Sequence, residues 1–251
     1  MLFFSQYVDL SDLIYHSRAI ILRTVKYGET SLIVDMYTEQ KGHQTFIVNS
    51  VRKSKALTPA ALLQLMTLVD IVAYHQDHRK INRIKEIRLN HAWQSIPFDM
   101  RKSAVITCVA EMCSKCIRTA EPHPELFSFL HRNLSAFDKP DTYDRDFLIR
   151  FLVSLSQYLG FGMNVPGTVS PDDTFDLLEG HLTAHHERHK YLMPGADLVV
   201  LSEILKLGRQ GKSDAPVSVR RRLIDQLVLY YQLHVESLKE VNSLKILREL
   251  L

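Results

Sequence analysis

Two clusters in this 251-residue sequence carry side chains that bind metals: four histidines (His181, His185, His186 and His189) and three cysteines (Cys108, Cys113 and Cys116). On a helix, His181, His185 and His189 would share one face and could hold a divalent ion. The simpler reading, and the preferred one, is a polar surface loop or helix between Gly180 and Pro194. His186-Glu187-Arg188-His189 is one residue short of the HExxH pattern of zinc peptidases. Cys113 and Cys116 would be neighbours on a helix, but a structural zinc site needs four ligands. Cys108 and Cys116 also belong to an apolar helical stripe, where a free cysteine behaves as a small buried hydrophobe. No metal and no cofactor are therefore expected. The sequence contains no GxxxxGK[ST] loop, no GxGxxG turn after a strand and no GxSxG elbow, so no catalytic activity is expected either.

The basic residues are the more productive signal. The net charge is only +3, yet residues 41–90 hold nine Lys and Arg against three Asp and Glu. Arg52, Lys53 and Lys55 fall in a polar connection, and Arg79 and Lys80 in a turn. Arg83, Lys85 and Arg88 follow on the next segment, with Arg23 and Lys26 upstream. Cations along a groove neutralise phosphates, and aromatic rings between them stack bases. Tyr27, Tyr37, Phe46 and Tyr74 are the available rings, and each would serve equally in a core. Contacts of this kind predict weak sequence preference and an affinity that falls steeply with salt. A second basic group, Arg220, Arg221 and Arg222 with Lys206, Arg209 and Lys212 before it, reads equally as a solvated helix start or as a DNA contact.

The elements that must position these residues fall into two textures. Before residue 90, short β-rich runs (Arg18–Thr24, Ser31–Thr38, Gln44–Ser50 and Met66–Tyr74) alternate with turn signals at Tyr27-Gly28-Glu29, Lys41-Gly42 and Thr58-Pro59. Ile81–Leu89 is ambiguous between helix and strand. Five short strands with one helical turn after Pro59 suit a small barrel, and periodicity alone does not separate an OB-fold from an SH3-like one. After residue 95 the spacing becomes helical. Val105, Cys108, Val109, Met112 and Cys116 make one stripe, and Leu126, Phe127, Leu130 and Leu134 a second. Phe147, Leu148, Phe151, Leu152, Leu155 and Leu159 make a third, ended by Gly160. Gly208 stops a shorter helix begun near Ala196, and Pro216 opens a long one through Leu227 and Tyr231. The expected fold is α+β and multidomain: an N-terminal extension (1–16), an OB-fold nucleic-acid-binding barrel (17–92) and an all-α helical lobe (93–251).

Three closely spaced cysteines fit a reducing compartment rather than a disulfide framework. The first residues lack the basic start of a signal peptide, and no apolar run approaches the ~18–20 residues that a membrane span needs. A cytoplasmic, nucleoid-associated protein with no membrane partner is expected.

The segment Arg18–Val34, in which an arginine-bearing strand leads through Tyr27-Gly28-Glu29 into an aliphatic strand, resembles the opening of the RecO family. Thr38–Gly42, the basic Val51–Lys55 segment, the apolar Leu62–Tyr74 run, Leu227–His234 and Ser243–Leu247 are similar to that family in order and spacing. The resemblance runs from Arg18 nearly to the end. It implies an OB-fold followed by a helical lobe, and a role in recombinational repair by the RecF pathway. It further implies binding of single- and double-stranded DNA, annealing of complementary strands, and loading of RecA together with RecR. The C-terminal tail of single-strand-binding protein is implied as a partner of the helical lobe, with Arg220, Arg221, Arg222, Leu227 and Tyr231 as its contacts. Two departures stand out. The zinc-binding cysteines that many members carry after the Gly160-Phe161-Gly162 turn are absent, and residues 1–16 precede the usual start. The alternatives are an OB-fold adaptor that binds proteins, or an RNA-binding protein without mediator activity.

Overall fold

In the computed structural model, the described residues are 14–49, 51, 60–74, 80–183, 189–209 and 211–250. Five strands come first: β1 (Ile14–Tyr27), β2 (Ser31–Thr38), β3 (Gly42–Val48), β4 (Leu68–Tyr74) and β5 (Asn82–His91). They close into a barrel of order β1-β2-β3-β5-β4, antiparallel except where β3 meets β5. That order is the OB-fold arrangement, which periodicity had left undecided. Alternation through most of β2, β3 and β4 drives the closure, whereas β1 buries Ala19 to Leu22 without a break. Ala19, Ile21, Val34, Met36, Phe46, Val69, Ile71 and Ala73 point inward and make one core, with Leu63 from a short 3₁₀ turn (Ala60–Leu63) against it.

β1 starts at Ile14. Ile14, Tyr15 and His16 pair with Tyr74, Ala73 and Val72 of β4, so these three residues belong to the barrel and not to an extension ending at 16. The ambiguous segment Ile81–Leu89 is strand, because Ile84 and Ile87 pack on the barrel core while Arg83 and Lys85 face solvent. Gly42 is required where it stands: its φ is +59°, and a Cβ would come within 2.3 Å of the Glu121 carbonyl oxygen. This close approach belongs to residues Arg118–His131, which cluster with the barrel into one compact unit. Within that unit the His43 N–H donates to the Thr119 carbonyl, and Tyr37 stacks on Phe127.

The second compact unit comprises Gln94–Ile117 and Arg132–Leu251. Its helices are α1 (Met100–Cys116), the end of α2 (Pro124–Phe137), α3 (Phe147–Tyr158), α4 (Gly195–Leu207), α5 (Val217–His234) and α6 (Ser243–Leu250). Asp99 caps α1 by accepting the N–H groups of Arg101 and Lys102. The expected stripes are its core: Cys108, Val109 and Met112 on α1, and Phe151, Leu152 and Leu155 on α3, are all buried. Gly160 follows α3 with φ +86°, the left-handed residue that ends a helix. The lobe expected to be all-α carries in addition a three-stranded sheet of β6 (Thr174–Asp176), β7 (His181–Thr183) and β8 (Leu192–Pro194), in the order β7-β6-β8. Strands of three residues are too short for a period of two to register, which is why composition did not reveal them. Among the described residues no helix is long and apolar enough to cross a membrane.

Candidate nucleic-acid interface

Cross-strand partners share a side of the sheet, so the pairing register fixes which residues face outward together. Val25 of β1 lies opposite Ile33 of β2, Ile33 opposite Ile47 of β3, and Ile47 opposite Arg83 of β5. The alternating partners of these positions fill the core, so this row faces outward. It is an apolar band across four strands that ends in a guanidinium. Val25 keeps 41% of its surface exposed, and Ile33 and Ile47 are half-buried. Next to the band, Arg23 pairs with Asp35 at 3.1 Å, and Asp35 also accepts the Thr45 hydroxyl at 2.8 Å. The β1–β2 turn, with Gly28 at φ +60°, presents Tyr27 at 54% exposure beside the exposed Lys26. Lys80 and Lys85 are exposed as well, Lys85 as the extra residue of a bulge in β5.

The opposite outer side, made by β1, β4 and β5, has different chemistry. A groove of about 480 Å³ is lined by His16, Arg18, Glu39, Asp70, Glu86 and Arg88, among others. Its charges are matched internally. Arg18 donates to both Glu39 oxygens (2.8 and 2.5 Å) and lies over the Phe127 ring. The Arg18 guanidinium holds the Glu39 carboxyl below the usual range. Arg88 stands opposite Asp70 and pairs with Glu86 at 3.2 Å, while the Asn90 amide donates to both Asp70 oxygens.

The ten basic residues expected at the interface therefore separate. Arg23 and Arg83 flank the apolar band, Lys26 is exposed on the other side of β1, opposite the core residue Leu32, and Lys80 and Lys85 are exposed on or beside β5. Arg88 belongs to the carboxylate-bearing side. Arg52, Lys53, Lys55 and Arg79 lie outside the described residues. Of the four aromatic candidates, Tyr37 and Phe46 are core, Tyr74 is half-buried, and Tyr27 faces solvent. Val25, Ile33 and Ile47 were not singled out from sequence. Their signal was present: they are β-branched residues at the outward positions of alternating strands, where solvated faces usually carry polar side chains.

The C-terminal candidates are placed inside the second unit. Arg220 is buried, with Nε 2.7 Å from Asp146 Oδ1 and further bonds to the carbonyls of Ala215 and Ser213. Arg222 forms a two-bond pair with Asp197, and that pair holds the Asp197 carboxyl low. Arg221 is half-buried. Leu227 and Tyr231 are fully buried, and the Tyr231 hydroxyl donates to the Leu152 carbonyl at 2.7 Å. Burial pushes that hydroxyl well above the usual tyrosine range.

The described histidines of the cluster, His181 and His189, do not share a helix. His181 opens β7, and His189 Nε2 lies 3.2 Å from the buried Asp176, while His185 and His186 lie outside the described residues. Among the described residues no three His, Cys, Asp or Glu side chains group as a metal site. Cys108 and Cys113 are buried, and burial raises both thiols, that of Cys108 to about 12.

Comparison with known sequences agrees with this architecture. Residues 13–93 match the family described as "Recombination protein O N terminal", and residues 97–243 match "Recombination protein O C terminal". A protein of Christiangramia forsetii named "DNA repair protein RecO" is 30% identical over 249 residues, covering 95% of this chain and 99% of its own length. Proteins with the same name from Bacteroides fragilis (29% identical; 92% of this chain, 96% of theirs) and Flavobacterium psychrophilum (27%; 93% and 97%) are similar over comparable spans.

Proposed function

The chain belongs to the recombination protein O family of DNA repair proteins, and from that premise we propose that it is a non-catalytic mediator whose barrel holds single-stranded DNA along its β1-β2-β3-β5 side. The observation that carries this reading is the row Val25–Ile33–Ile47–Arg83 with Arg23 and Tyr27 beside it. OB-folds bind oligonucleotides on the face of strands 2 and 3 and with the loops at its ends. Here the apolar band offers a surface for base planes, Tyr27 a ring to stack on, and Arg23, Lys26, Lys80, Arg83 and Lys85 positive charge for the backbone. Arg52, Lys53, Lys55 and Arg79 are assigned to the same contact on their charge and place in the chain. Double-stranded DNA would use the phosphate contacts alone.

Annealing follows from the same arrangement. Phosphate charge is screened on the protein while the hydrogen-bonding edges of stacked bases stay free to pair. No step needs a nucleophile, a metal or a cofactor. RecA loading with RecR, and capture of the single-strand-binding protein's C-terminal tail by the second, mainly helical unit, complete the proposed role. With Arg220, Leu227 and Tyr231 buried, such a tail would have to meet the exposed basic residues near them, among them Lys206, Arg209 and Lys212.

The test is fluorescence anisotropy of a labelled oligonucleotide over a salt series, comparing the wild type with Lys26→Glu/Arg83→Glu. If two phosphate contacts are lost, the slope of log K against log [salt] falls by about 1.4, at roughly 0.7 per contact on a single strand. Affinity should drop at least ten-fold. An unchanged slope would remove DNA from this side of the barrel. Affinity that ignores salt in the wild type would favour a protein-binding adaptor, and tighter binding to RNA of the same sequence an RNA-binding protein.

A further inference from the structure

α6 is held to α1 in an unusual way. Its N-terminal N–H groups are capped by a side chain from another helix. Glu111 of α1 accepts the N–H of Asn242 at 2.9 Å through one oxygen, and through the other the N–H and hydroxyl of Ser243 at 2.8 and 2.6 Å. Lys115, one turn further along α1, donates to Glu111 at 2.7 Å and to the Glu240 carbonyl at 2.5 Å, while its own carbonyl accepts the Ser237 hydroxyl. These bonds hold the Glu111 carboxyl down to about 2 against the cost of its burial. Apart from this catch, α6 is anchored by Leu244 and Leu247 and by an ion pair between Arg248 and Asp225 that is about half exposed on each side. Lys245, Ile246, Arg248 and Glu249 face solvent. An eight-residue helix has almost no stability of its own in water.

Cys108 lies one turn before Glu111 on the same face of α1. It is fully buried and contacts Ser243. Cys113 is equally buried but lies five residues further along α1, about 140° further round the helix axis. The two thiols therefore report on different contacts of one helix.

We propose that the segment Val241–Leu250 is a strap that lifts off α1 as a unit while the rest of the helical core stays folded, with Glu111 as its catch. Lifting bares Cys108 and the apolar seat of Leu244 and Leu247 on α1, and leaves Cys113 covered. Local opening of elements with few buried apolar contacts, below the free energy of global unfolding, is the general behaviour on which this rests. The strap lies outside the barrel side assigned to DNA, so its test does not depend on that assignment.

The experiment is alkylation of the full-length protein with a maleimide, each cysteine followed separately by peptide mass spectrometry. In the wild type, Cys108 is expected to react faster than Cys113, at a rate that responds little to low urea. Glu111→Gln should accelerate Cys108 roughly five- to thirty-fold, the range for losing a cap and its charge-assisted hydrogen bonds, with Cys113 unchanged. Leu247→Ala leaves the catch in place but loosens the seat, and must give the same pattern; it decides the matter alone if Glu111→Gln does not fold. Cys108 and Cys113 accelerating together, or neither responding in either variant, would overturn the strap.

Discussion

Arginines occur on the barrel and at the head of α5, and the structure uses them in opposite ways. Arg83, on β5, stands at the end of an outward-facing, partly exposed apolar row from β1, β2 and β3. Arg220 is 5% exposed, and its guanidinium is bonded to Asp146 and to two backbone carbonyls. In sequence, both sit among neighbouring cations. A run of three arginines is a stronger visual signal than Arg83, yet two of the three are spent on carboxylates of their own unit. The difference is made by what lies opposite: an aliphatic strand leaves a guanidinium for solvent, whereas a buried aspartate takes it. The barrel repeats the lesson on a smaller scale, because Arg83 and Arg88, five residues apart on one strand, look to an apolar band and to a carboxylate-bearing groove respectively.

Three substitutions test this contrast. The largest effect is expected for Arg220→Ala, which leaves Asp146 buried without its cation. Breaking a buried pair from one side costs about 3–5 kcal/mol, to be read as a lower midpoint in denaturant unfolding of the helical unit. A loss below about 1 kcal/mol would mean that Arg220 is available for other contacts. Tyr27→Ala should weaken single-strand binding by about 1–3 kcal/mol, the scale of one base stacked on an aromatic ring, and leave the salt slope unchanged. An altered slope with intact affinity would make the ring a bystander. The smallest effect belongs to Arg88→Ala. Its pair with Glu86 is exposed, so both stability and DNA affinity should stay within about 0.5 kcal/mol of wild type. A ten-fold affinity loss would place DNA across the groove side and erase the distinction between the two faces.

Much of the fold was legible in the residues. The β-rich runs separated by turn signals, and the stripes through Cys108–Met112 and Phe147–Leu155, announced a barrel followed by helices, because burying one face of each element is a local requirement that the sequence must meet everywhere. Tyr27-Gly28-Glu29 marked the turn that now presents Lys26 and Tyr27. The strand nature of Ile81–Leu89 was not legible, since three isoleucines at a spacing of three satisfy a helix as well as a bulged strand. Nor was the small sheet around Asp176, whose strands are too short to show a period. The gathering of Arg118–His131 with the barrel was also hidden, because it depends on Gly42 meeting the backbone at Glu121.

For the candidate site, the chain by itself determined that cations would concentrate between residues 41 and 90, and that β-branched residues would occupy outward strand positions. Tertiary structure alone decided which of them share a face. Val25, Ile33, Ile47 and Arg83 are separated by up to 58 positions in the chain and become neighbours only through the register of three strand pairings. Register is set by barrel closure and by bulges, and a slip of one residue would send every side chain to the other side. The fate of Arg220 follows the same logic. Its charge is written in the sequence, whereas the aspartate 74 positions away that takes it up is brought there only by the packing of the helical unit.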